Sequence, residues 1–399
     1  MNDKVVLAFS GGLDTSYCVK YLKDEKGLEV HAATVNTGGF SAAELEDIEQ
    51  KAFELGATTY ATLEETEAFY TQCVKYLIFG NVLRNGTYPL SVSAERVFQA
   101  MAIANYAKQT GAGYIAHGST GAGNDQVRFD LVFHILCPDV QVITPIRDQS
   151  LSRQQEIDYL SGKGVVRDWT KAAYSVNQGL WGTSVGGKET LTSHEALPEE
   201  AFPSQLTKEE PSEVTLHFEK GELVGVNGHH QEPVRCIQYL ETLAAPYAIG
   251  RDYHVGDTII GIKGRIGFEA AASYVIIKAH HQLEKHTLTK WQLYWKEQLA
   301  NWYGMMVHEG TFLDPVMRNT EKFLDDTQEN VTGMVRVALM PYRYQVLGIE
   351  SEYDLMSSQF GKYGEENTGW TGEDVKGFTK VMANSLKIYH AVHQTPLEV

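Results

Sequence analysis

The chain has 399 residues, 43% of them hydrophobic and 21% charged, which is too long for one ordinary core and predicts two or three globular domains. Asp and Glu outnumber Lys and Arg by 51 to 34, a formal net charge of −17; this argues against a general nucleic-acid binder, but not against a small phosphate ligand held by backbone amides. With no apolar run of about twenty residues and no signal-peptide h-region, the expectation is a cytoplasmic protein without a membrane span.

The apolar run Val5 to Phe9 predicts a buried strand, and the residues after Gly12 take helical spacing, with Tyr17, Cys18, Tyr21 and Leu22 on one face. Glu29–Asn36 reads as a second strand. Ser41 and Glu44 stand in capping-box spacing ahead of a helix with Leu45, Ile48, Ala52 and Leu55 as its buried stripe, stopped by Gly56. A mainly helical stretch runs to about Thr110, and the segments 112–118 and 140–146 supply two more strands. This β-α-β rhythm predicts an α/β fold: a parallel sheet with helices on both faces.

After about Lys171 the pattern changes. Asn177 to Pro211 is rich in Gly, Ser and Pro and reads as an extended loop or clamp. A hairpin turning at Lys220-Gly221 follows, then helical patterns at 233–246, 271–286, 288–306 and 313–331, and a second hairpin over 334–351. Glu373 to His393 reads as one amphipathic helix with Val375, Phe378, Val381, Met382 and Leu386 on a face, suited either to its own core or to a subunit contact. Cys18, Cys73, Cys137 and Cys236 lie far apart without a C-x-x-C pair and read as reduced, mostly buried thiols. The pairs His229-His230 and His280-His281 lack metal-ligand spacing and read as ordinary polar positions.

Two stretches carry chemistry. Between the first strand and its helix, Ser10-Gly11-Gly12 lets backbone N–H groups converge on an anion, the helix N-terminus adds donors, and Ser10, Thr15 and Ser16 add hydroxyls. The alternative is a tight turn with Asp14 as helix N-cap. The lysine of a Walker A loop is absent, and the dinucleotide pattern G-x-G-x-x-G does not fit. After a later strand, Gly118, Gly121 and Gly123 would let the chain wrap a ligand, while Thr120, Asn124, Asp125 and Arg128 offer a hydroxyl, an amide, a carboxylate and a guanidinium. The guanidinium suits a substrate carboxylate and Asp125 suits an ammonium, a combination fitted to amino acids. A solvated Gly-rich loop is the plain alternative.

Residues 10–16, SGGLDTS, resemble the pyrophosphate loop of the N-type ATP pyrophosphatases, which split ATP between its α- and β-phosphates to adenylate a substrate oxygen. That superfamily includes ligases, amidotransferases and tRNA-thiolating enzymes. Taken with AHGSTGAGNDQVRFD (116–130), the chain resembles the argininosuccinate synthase family, most strongly over residues 4 to about 190 and in the same order towards the C-terminus. The resemblance implies a nucleotide-binding domain of the adenine nucleotide alpha hydrolase type at 1–170, an α+β synthetase domain for substrate binding and multimerisation at 171–365, and a C-terminal oligomerisation helix at 371–393. It implies ATP contacts from Ala8, Phe9, Ser10, Gly11, Gly12, Leu13, Asp14, Thr15, Ser16, Val35 and Gly118. Thr120, Asn124 and Asp125 match aspartate-holding positions. Tyr88, Ser93, Asn124, Arg128, Ser175 and Ser184 match citrulline-holding ones; on residue chemistry alone Tyr88 is equally a packing residue and Ser175 a cap.

In that family the citrulline ureido oxygen attacks the α-phosphorus, and aspartate then displaces AMP from the adenylate. The resemblance thus implies ATP as a substrate, Asp14, Asp125 and Arg128 as the catalytic group, magnesium with the nucleotide without an assigned ligand, and a homotetramer. Three departures stand out. Ala122 replaces a lysine, and Asn36 an acidic residue. Gly256 and Phe268 stand where the family has a glutamate and a tyrosine on citrulline. Either Asp257 takes over from the glutamate, or the substrate is an N-acylated citrulline with no α-ammonium to pair. A tRNA-modifying adenylase would bring a basic surface or paired cysteines, and a non-catalytic ATP-binding module would need neither the Asn-Asp-x-x-Arg cluster nor a second domain.

Overall fold

In a computed structural model describing residues 3–167, 169, 174–357, 364 and 369–393, the first apolar run is the central strand of a parallel sheet. β1 (Lys4–Ala8), β2 (Glu29–Asn36), β3 (Thr59–Glu64), β4 (Tyr114–Ala116) and β5 (Gln141–Ile143) lie in the order β3-β2-β1-β4-β5. Val5, Val6 and Leu7 are all fully buried, because successive side chains enter opposite cores. Val5 and Leu7 pack with α1 (Leu13–Asp24) and α2 (Ala42–Leu55); Val6 packs with α5 (Ser91–Thr110), which follows the short helices α3 (Thr66–Phe69) and α4 (Lys75–Phe79). The Ser41–Glu44 capping box forms as expected, and Gly56 ends α2 in the left-handed region. The edge strand β3 escaped sequence reading because its residues are only half-buried and show no clean alternation. α6 (Asp125–Leu136), α7 (Pro145–Asp148) and α8 (Arg153–Gly162) complete this part. Chain direction switches beside β1, so the loops after β1 and β4 emerge side by side at the carboxyl edge of the sheet.

The boundary expected near residue 170 falls among 168 and 170–173, outside the described residues. From Ser175 the chain forms β6 (Ser175–Gly179), β7 (Gly182–Gly186), β8 (Ser212–Glu219), β9 (Glu222–Val226), β10 (His229–His230), α9 (Pro233–Ala244), β11 (Arg251–Asp257), β12 (Lys263–Glu269), α10 (Ala271–Thr287), α11 (Lys290–Glu309), α12 (Pro315–Thr327), β13 (Gly333–Met340) and β14 (Arg343–Glu350). Both expected hairpins are present, β8–β9 turning through left-handed Lys220 and Gly221. The second sheet is antiparallel, of order β11-β12-β7-β6, and the two hairpins join in a third of order β10-β9-β8-β13-β14. The stretch read as a loop from Asn177 therefore begins as strand. Its remainder covers one face of the second sheet, where Leu197, Ala201 and Phe202 bury Val185. Arg265 Nη1 pins it by donating to the carbonyls of Glu189, Thr192 and Glu195.

All four cysteines are free and buried, as expected. His280 is not an ordinary polar position: it is fully buried, hydrogen-bonded to Asn81 and Gln328. Beside it, fully buried Lys296 pairs with Glu284 at 2.9 Å and donates to Phe79 O, tying α10 and α11 to the end of α4.

Residues to Glu352 form one compact unit and those from Tyr353 a second. In the second, the expected single tail helix is two: α13 (Gly372–Met382), opened by a Thr371–Asp374 capping box, and α14 (Asn384–His393), separated by a turn at Ala383. Neither helix has a buried residue.

Candidate active site

The loop after β1 is shaped by its glycines. Gly11 has φ +74°, and a Cβ there would sit 3.2 Å from Ile48 Cγ1. Gly12, in extended conformation, is the N-cap of α1 and has no side chain to satisfy the first-turn N–H groups, which leaves those donors for a ligand. Asp14 therefore lies inside the first turn and is not the N-cap, which removes the tight-turn alternative. Thr15 Oγ1 braces the loop, accepting from Ser10 N at 3.4 Å and donating to Gly12 O. Ala8 closes β1, Phe9 and Leu13 anchor the loop in the core, and Ser16 is buried, as is Val35 at the end of β2. Gly118 follows β4, where a Cβ would come within 3.2 Å of Asp14 Cβ, so its lack of a side chain permits the two loops to touch. Beneath them Glu156 of α8 is almost fully buried; burial and then the charge of Asp14 push its carboxyl up to about 8.

The second loop ends in helix α6 rather than continuing as a loop. Gln126 Nε2 holds it by donating to the carbonyls of Gly121 and Gly123. Thr120 and Ala122 are exposed, so the charge missing at 122 is a surface charge. Asn124 Oδ1 accepts from Ile259 N at 2.8 Å, which closes the β11–β12 turn onto this loop. Asp125 and Arg128 mainly hold each other: Asp125 Oδ1 accepts from Arg128 Nη1 at 2.9 Å and Oδ2 from Arg96 Nε at 3.0 Å. Arg128, 4% exposed, also donates from Nε and Nη2 to His308 O. Each Asp125 oxygen keeps a second lone pair and the side chain is 40% exposed, so an ammonium can reach it beside the two arginines.

Arg96, which sequence reasoning passed over, joins these parts. It donates to Glu95 and Gln99 as well as Asp125, and its Nη2 reaches Asn177 Oδ1 on β6, each at 3.0 Å. Buried Glu95 accepts from Thr37 Oγ1 at 2.8 Å, and burial raises its carboxyl to about 7. Two adjacent charges, Glu95-Arg96, within the otherwise uncharged run Ser91 to Ala107 were the available signal. Asn36 donates to Glu64 Oε2 and accepts from Gly38 N, so β3 provides a carboxylate beside the position where an acid was missing.

The remaining predicted residues share one face of the second sheet. Ser175 pairs with Gly186, Ser184 with Asn177 and Phe268, and Phe268 with Asp252, aligning Ser175, Ser184, Phe268, His254 and Gly256 on the face opposite Leu197. Ser175 is a strand residue, not a cap. Tyr88 is buried and does pack, stacking on His254 at 4.9 Å and tilting on Phe268 at 5.3 Å. Its hydroxyl is shared with Ser91 Oγ and Ser93 N, and Ser93 Oγ turns back to Leu90 O. Asp257 does not replace a carboxylate at 256: strand alternation puts it on the reverse face, exposed, paired with Lys263 at 2.7 Å.

Two family models cover nearly all of the chain: "Arginosuccinate synthase N-terminal HUP domain" matches residues 4–166 and "Arginosuccinate synthase C-terminal domain" residues 174–389. The chain belongs to the argininosuccinate synthase family. Relatives named argininosuccinate synthase include those of Dictyoglomus turgidum, 36% identical over 97% of both chains, and Xanthomonas axonopodis pv. citri, 36% identical over 98% of this chain and 95% of the relative. That of Methanocaldococcus jannaschii is 35% identical over 90% and 92%. The α/β expectation is met by the HUP domain with its parallel sheet. Among the described residues no helix is long and apolar enough to cross a membrane, and no group of three or more His, Cys, Asp or Glu could hold a metal ion.

Proposed function

We propose that the chain joins citrulline to aspartate at the expense of ATP, forming argininosuccinate, AMP and pyrophosphate in arginine biosynthesis. The observation that carries this reading is the uncapped N-terminus of α1, whose loop touches the segment holding Asn124, Asp125 and Arg128 within a chain matched throughout by this family's models. The ureido oxygen attacks the α-phosphorus of ATP, the bond to the β-phosphate oxygen breaks, and pyrophosphate leaves. The aspartate amine then attacks the ureido carbon, AMP departs with the ureido oxygen, and the amine loses a proton.

In this reading the residues 9–16 hold the outer phosphates, and their N–H groups stabilise charge on the departing pyrophosphate. Asn124 and Arg128 orient the ureido group, Thr120, Asn124 and Asp125 the incoming aspartate, and the catalysis is mostly positioning. Asp125 also fixes Arg128. Magnesium would come with the nucleotide, held by phosphate oxygens and water, and would screen the phosphate charge. The apolar residues of α13 and α14 form the subunit contact of a homotetramer. The test is product analysis with citrulline carrying ¹⁸O in the ureido group: the label should appear in AMP. Release of ADP and orthophosphate would refute the reading. The tRNA-modifying and non-catalytic alternatives gain nothing from the acidic surface, the buried cysteines or the full-length family match.

A further inference from the structure

The face of the second sheet beside Tyr88 ends in nitrogen donors that the ligase reading does not use. His254 is 7% exposed, and its Nδ1 is buried without a hydrogen-bond partner. Arg84, in the turn that leads to Tyr88, has a buried Nε that is equally unpartnered. Buried polar groups of this kind cost free energy unless a ligand completes them. The ring of His254 also takes up the side-chain space of position 256: a Cβ on Gly256 would lie 2.9 Å from His254 Nε2 and 3.1 Å from Asn85 Nδ2.

The surrounding charge favours an anion. Arg84 and Arg128 both depress the neighbouring His308, which burial and these cations bring to about 2, and burial followed by Arg84 brings His254 to about 4. The carboxylates nearby are engaged or turned away. Glu309 lies 3.5 Å from Arg84 and 3.3 Å from His308, Asp125 is held by two arginines, and Asp257 is on the reverse face. Asp252 shares the face but is exposed, with one oxygen accepting from Tyr253 N. An arginine Nε–H can only donate, and a neutral imidazole nitrogen can donate in one tautomer.

We propose that Arg84 and His254 form a carboxylate-binding subsite for the ureido substrate, a reading that rests on the ligase function above. Two sources supply a carboxylate there: the α-carboxylate of free citrulline, or the distal carboxylate of a dicarboxylic acyl group on the α-nitrogen. The second asks less of the site, because an α-ammonium would have only the exposed Asp252 of this face to pair with, whereas an amide nitrogen needs no acid.

The experiment measures pyrophosphate release, and equilibrium binding in the presence of ATP, with citrulline, N-acetylcitrulline and N-succinylcitrulline. Wild type is compared with Arg84→Gln and His254→Gln, whose melting temperatures control for folding. Loss of one hydrogen bond to a charged group should raise KM about ten- to a hundredfold with kcat less affected. An acyl source predicts that wild type prefers the succinyl over the acetyl compound and that Arg84→Gln abolishes this preference. A free α-carboxylate source predicts that citrulline is preferred and that both variants weaken all three compounds alike. Equal KM and binding in wild type and both folded variants would overturn the subsite. Absence of pyrophosphate release with every compound would instead refute the ligase reading, and binding would still judge the subsite.

Discussion

Replacing Glu156 by glutamine tests whether the loop after β1 rests on a protonated carboxyl. The group is 3% exposed on α8, its Oε2 has no partner, and burial with the charge of Asp14 raises it from 4.5 to about 8. A carboxyl that binds its proton more tightly when folded stabilises the fold fully below pH 4.5, and this contribution is lost as pH rises through about 8. At roughly 1.4 kcal/mol per tenfold change in proton affinity the interval corresponds to about 4–5 kcal/mol, reduced to about 3–4 by solvent screening at half-exposed Asp14. Glutamine keeps the shape and cannot ionise. Urea denaturation from pH 5 to pH 9 should find the two proteins of similar stability at the acid end. The variant should gain steadily to about 3 kcal/mol at the alkaline end. Parallel stability curves would refute the reasoning, because they would mean that Glu156 is ionised in the folded chain throughout.

Removing the Arg96 guanidinium in Arg96→Met leaves Asp125 short of one cation and Glu95 of its partner. Urea denaturation should find a loss of about 3–5 kcal/mol, and pyrophosphate release should fall with it. Gly39→Ala puts a Cβ 1.9 Å from the carbonyl oxygen of Gln178, a backbone atom that cannot give way; a drop in melting temperature corresponding to about 1–3 kcal/mol is expected. Phe378→Asp with Val381→Asp charges the exposed face of α13. Light scattering should find a smaller assembly than wild type, and an unchanged mass would remove this helix from the subunit contact.

Much of the site was legible because its signals are local. A glycine pair between an apolar run and a helical pattern needs no distant partner to be recognised, and neither does the hairpin at Lys220-Gly221, where two successive residues take positive φ. β11 and β12 were not read as strands, because residue type does not follow burial: His254 and Gly256 are buried while Val255 between them is exposed, and Gly256, Gly264 and Gly267 interrupt the apolar pattern. Arg96 was missed for a related reason. Its partners come from α5, α6 and β6, separated by up to 81 residues, so no short motif contains them.

What the amino-acid sequence determined by itself was the parallel α/β beginning, the donor-rich loop after β1 and the family, since each depends on residue types at short, ordered spacings. The tertiary structure alone decided which side of the second sheet each residue occupies. Side-chain direction in a strand depends on pairing register, and register is set by contacts across the chain. That is why Asp257, one residue from Gly256, faces Lys263 on the back, while His254, two residues away, stands beside Tyr88.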